Sequence, residues 1–89
     1  MMLTRHAETR MQQRSISRRA VEMLITYGEY RRHRGAEICY FSKGSRLRML
    51  QDLGKRAFLK LEKILDAYLV VSDDGAIITA GHRHHRLKF

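Results

Sequence analysis

The chain has 89 residues, with 18 Lys or Arg against 9 Asp or Glu and a formal net charge of +9. That length holds one domain, and a hydrophobic content of 44%, spread along the chain, excludes a disordered tail. Cys39 stands alone, which excludes an intrachain disulfide, and no apolar run is long enough for a bilayer. The start, from Met1 to His6, has no signal-peptide apolar stretch. A cytoplasmic location without membrane contact is therefore expected.

In chain order, Thr4 can cap a first helix running to about Arg14, with Leu3, Ala7 and Met11 on one apolar stripe. Ser15-Ile16-Ser17 breaks it, and Ser17 caps a second helix that buries Ala20, Val21, Leu24 and Ile25. Gly28 reads as its C′ residue. Two short strands, 30–34 and 37–41, flank a Gly35-Ala36 turn, so that Arg34 faces Glu37, Arg32 faces Cys39 and Tyr30 faces Phe41. Ser45 is the expected cap of a long third helix. Its period runs from Leu47 to Leu65 through Gly54, where a kink is allowed for. Finally, 68–72 and 76–80 flank Asp73-Asp74-Gly75, a strong hairpin signal. There is no proline, repeat or low-complexity tract to mark a linker. The expected fold is α+β, of order ααββαββ, with a mostly antiparallel four-stranded sheet backed by helices.

The charge excess stores self-repulsion that an anionic partner relieves, and among polyanions RNA is the foremost candidate. Two basic constellations stand out. On the first helix, Arg10 lies four residues from both His6 and Arg14, so the three share a stripe. A bound anion would relieve their repulsion. The plainer reading is a solvated face, or Arg10 paired with Glu8 or Glu22. The second is the run from Gly81 to Phe89, with His82, Arg83, His84, His85 and Arg86. Strand alternation places His82 and His84 on the face of Ile78 and Ala80. Imidazoles move protons near neutral pH, and guanidiniums hold phosphate bidentately. The mixture suits metal-independent RNA cleavage: a base at the 2′-hydroxyl, an acid at the departing 5′-oxygen, arginine on the phosphorane. A frayed basic tail or a hydrogen-bonded edge histidine would give the same letters.

The first hairpin adds Arg31, Arg32 and Arg34, with Tyr40 beside them as the best candidate to stack a base. Tyr27, Tyr30 and Tyr68 read as core or edge residues. No metal or cofactor is expected: Asp73-Asp74 is accounted for by its turn, and zinc needs more ligands than His82 and His84 supply. Cys39 reads as a small buried hydrophobe.

Arg5-His6-Ala7, Arg10-Met11 and Arg14, followed by Ile16-Ser17 opening a helix, resemble the N-terminal signature of small bacterial domains of unknown function related to BrnT- and RelE/ParE-like toxins. The closing hairpin into Gly81-His82-Arg83 is similar to the final strands of that group. The resemblance implies a ribonuclease-toxin fold across 1–89, metal-independent RNA cleavage and an acidic antitoxin partner. His6, Arg10, Arg14, His82 and Arg83 are the positions it carries over. The two N-terminal helices depart from RelE/ParE proteins, and no single catalytic set is matched.

The resulting expectation is a toxin-like endoribonuclease or RNA-binding protein, with His6, His82 and Arg83 as catalytic candidates. Arg10, Arg14, Arg31, Arg32, Arg34, Tyr40 and Arg86 are the nucleic-acid-binding candidates. The alternatives are a non-catalytic nucleic-acid-binding module and a basic protein that docks an acidic partner. A shared concave site for His6 and His82 would favour catalysis; opposite faces would favour simple binding.

Overall fold

Hydroxyl side chains start the first three helices of the computed structural model, which describes residues 2–83. Thr4 Oγ1 accepts from Ala7 N to open α1 (Arg5–Gln13), and Ser17 Oγ accepts from Ala20 N to open α2 (Arg18–Tyr27). Both caps stand where the sequence places them. The third differs: Ser42, not Ser45, caps α3 (Lys43–Leu53). Ser45 is fully buried in the first turn, and its hydroxyl lies 3.0 Å from that of Ser42.

The expected long third helix is broken. Gly54 takes φ +85°, ending α3 and opening α4 (Lys55–Lys60), after which Glu62–Ile64 form one 3-10 turn. The unbroken apolar phase reported a common buried side, which two successive helices satisfy as well as one. Gly28 also departs from expectation. Its φ is −63°, so it is no left-handed cap; glycine is needed because a Cβ would stand 2.4 Å from the Leu24 carbonyl oxygen and 2.6 Å from Cys39 Sγ.

The strands are β1 (Met2–Leu3), β2 (Glu29–His33), β3 (Ala36–Tyr40), β4 (Ala67–Val71) and β5 (Ala76–His82), in the sheet order β1-β5-β4-β3-β2. β2 to β5 form the four-stranded antiparallel sheet of an α+β fold of order ααββαββ. The two-residue β1 adds a parallel edge through Leu3↔Ile77. In the first hairpin the turn is Arg34-Gly35 rather than Gly35-Ala36. Both turn residues have positive φ, 50° and 80°, as a two-residue hairpin of this twist requires. The register therefore shifts by two: Arg32 faces Glu37, and Tyr30 faces Cys39.

Alternation then sorts the sheet into two faces. Cys39, Leu69, Val71 and Ala80 point into one core, with Ala7 and Met11 of α1, Ala20, Val21 and Leu24 of α2, and Met49 of α3. The other face carries two cross-strand rows, Glu29–Tyr40–Tyr68–Gly81 and Arg31–Ile38–Val70–Thr79. Its tyrosines and aliphatic residues are half-buried, and Arg31 is exposed. A bulge at Val70/Val71 takes Ile78 out of the alternation and leaves it exposed, off the face it was expected to share with Ala80 and His82. No described helix is long and apolar enough to cross a membrane.

Candidate nucleic-acid interface

The end of α1 decides where its last arginine goes. Ile16 N donates to Met11 O at 2.8 Å and Ser15 N to Gln12 O at 3.4 Å, with Ser15 at φ 54°. This is a Schellman stop, and buried Met11 and Ile16 supply its apolar contact. The stop makes Arg14 the C-cap residue, and Arg14 Nη1 donates to Ala80 O on β5 at 3.0 Å. A Cβ at Gly81 would stand 2.8 Å from Arg14 Nη1 and 2.8 Å from the Tyr68 hydroxyl. Since Gly81 is registered with Tyr68, that vacant side-chain space lies on the sheet face away from the helices. The guanidinium and the phenol share it, and the cation of a helix thereby reaches the open face.

A second group forms just past it. His82 Nδ1 lies 2.9 Å from Asp66 Oδ1, and Arg83 N donates to Asp66 O at 2.8 Å. His82 is registered with Ala67, on the core side of the strand, and its side chain is 27% exposed. With Nδ1 donating to the carboxylate, Nε2 is left as the proton acceptor, the arrangement of an oriented base.

The remaining candidates are dispersed. His6 is exposed in the first turn of α1, close to where Thr4 N donates to Ile77 O. His82 is at the far end of the same strand, roughly 15 Å further along. His6 and His82 are therefore not gathered into one shared concave site. Arg10 Nη1 lies 3.4 Å from Gln13 Oε1, not against Glu8 or Glu22, and Arg14 leaves the helical stripe for β5.

Arg31 and Tyr40 are on the open face, Arg34 occupies the exposed hairpin turn, and Arg32 is turned the other way. Arg32 pairs with Asp73 at 2.8 Å, and this hydrogen bond holds the Asp73 carboxyl below its ordinary pKa. Arg86, with His84 and His85, lies outside the described residues. Two further residues share the open face. Tyr68 sits directly opposite Tyr40, and His33 follows Arg31 by two on β2. Alternation against the buried Leu69 was the signal for Tyr68.

Cys39 is no nucleophile in this fold. Its Sγ donates to Leu24 O at 3.3 Å, and burial pushes the thiol pKa up to about 11. Among the described residues, no group of three or more His, Cys, Asp or Glu side chains converges as a metal site.

No curated protein and no solved structure matches the chain. Residues 3–82 match a family whose description names no activity and carries no link to BrnT- or RelE/ParE-like toxins. That match runs from β1 to the end of β5, over the whole sheet. By this span the chain belongs to the family described as a domain of unknown function, DUF4258.

Proposed function

We propose that the protein is a toxin-like RNA-binding domain that uses its open, basic sheet face. The observation that carries this reading is Arg14, whose guanidinium crosses the β5 edge to lie beside Tyr68 on a face that also holds Arg31. A net charge of +9 supplies long-range attraction for a polyanion. Fluorescence anisotropy with labelled RNA tests it. Log affinity should fall linearly with log salt, by about 0.7 for each phosphate neutralised on a single strand. Arg14→Ala should weaken binding and flatten that slope by about one contact. Binding that ignores salt, or no binding, refutes the reading.

The Asp66–His82 pair favours a second reading, metal-independent cleavage of the bound RNA. In this scheme Asp66 orients the imidazole, His82 takes the 2′-hydroxyl proton, and the 2′-oxygen bonds to phosphorus as the bond to the 5′-oxygen breaks. The departing 5′-oxygen takes a proton from water, and Arg83 faces the phosphate. His6 has no part in it. RNA incubated with the protein and EDTA should be cut by the parent and by His6→Ala, and spared by His82→Ala. RNA left intact by the parent removes cleavage and leaves binding standing.

A further inference from the structure

We propose that the open face takes single-stranded RNA, with bases stacked on the Tyr40–Tyr68 pair between Arg14 and Arg31. This rests on RNA being the partner and adds which form of it is bound and where.

Tyr40 and Tyr68 face one another on adjacent central strands. Directly opposed side chains have Cβ atoms about 5 Å apart. The Tyr68 ring leans over Gly81 on β5, away from Tyr40 on β3, so the two phenols offer neighbouring stacking positions across the face. Both side chains are half-buried, each keeping part of its surface open. Ile38 and Val70, the next registered pair on this face, add apolar surface beside them. Cations flank it on both sides. Arg14 stands over Gly81 on β5, and Arg31 projects from β2, so three strand spacings, about 14 Å, separate them. Glu29 ends the tyrosine row on β2, one registered pair away from Arg31. Its carboxylate disfavours phosphate at that corner and steers the backbone along the arginines.

The arrangement selects against a duplex. A broad four-stranded face enters neither groove, and paired bases hide the faces that tyrosines would stack on. Unpaired bases present those faces, and the flanking guanidiniums hold the backbone. A purely electrostatic surface would not need two aromatic rings at its centre.

The test compares three probes on the folded protein: a labelled single-stranded RNA of about twelve nucleotides, the same sequence as a duplex, and inorganic polyphosphate. The single strand should bind at least about tenfold more tightly than the duplex. Tyr40→Leu and Tyr68→Leu, which keep apolar bulk, should each weaken single-strand binding about tenfold and leave polyphosphate binding unchanged. Tyr40→Phe and Tyr68→Phe should bind like the parent, which separates ring stacking from fold integrity. If duplex and single strand bind equally, or the leucine variants bind the single strand like the parent, the stacking inference falls and general RNA binding survives. If neither RNA binds, both readings fall.

Discussion

A Cβ at Gly28 would press on a backbone carbonyl and a buried thiol, whereas one at Gly81 would press on the ends of two side chains. The same substitution therefore has different consequences at the two positions. Gly28→Ala should lower unfolding free energy by about 1–3 kcal/mol, read from urea denaturation, because neither neighbour can yield cheaply. Gly81→Ala should leave the fold nearly as stable but move the Arg14 guanidinium, so its loss should appear in RNA affinity. Cys39 contributes a pH effect whose sign follows from its burial. The folded thiol titrates near 11 against a reference of 9.0. Its contribution to stability is complete below pH 9 and declines as pH rises through 11, where the unfolded chain gains thiolate first. Thermal melts across that interval should fall, and Cys39→Ala should reduce the decline.

At the scale of elements, local chemistry was readable and long-range closure was not. Thr4, Ser17 and Asp73-Asp74-Gly75 act within a few residues of themselves, and each stands where its pattern placed it. The Arg34-Gly35 turn was missed because an arginine at positive φ is unusual, and its placement shifted the whole register. β1 is two residues long and pairs across most of the chain, Met2 with Ala76 and Leu3 with Ile77, so no periodicity announces it. Arg14 and Tyr68 meet only through that same closure, which is why half of the candidate site was invisible. The Schellman stop offers a clean test. Ser15 holds φ 54° without the freedom of glycine, so Ser15→Gly should raise stability by up to about 1 kcal/mol in denaturant melts. Thr4→Ala removes the cap and a hydroxyl bond to Ile77 O, and should cost about 1–2 kcal/mol.

Across the whole molecule, charge is arranged by face. Arg32 is occupied by Asp73 on the side of the hairpin away from the tyrosines, while Arg14 and Arg31 stand beside them. This pairing should be felt in acid. Asp73 is lowered chiefly by its hydrogen bond to Arg32, and Asp74 by the Ser72 hydroxyl. Their stabilisation is present above the ordinary carboxylate pKa and is lost as pH falls through the lower folded values. Both groups are exposed, so the effect is small, and salt should shrink the Arg32–Asp73 part further. Stability of Asp73→Asn measured from neutral to acid pH should converge on that of the parent at the acid end.

The contact of Arg14 with Ala80, and its place over Gly81, also has a meaning in time. Helix α1 is among the first described elements to leave a ribosome, and β5 is the last. Until β5 pairs, β1 has no neighbour and Arg14 has no strand to cross. A nascent chain can carry most of the Lys and Arg residues of 2–83 and still lack the finished candidate face. Completion of the sheet and completion of the surface are therefore one event, set by the arrival of β5.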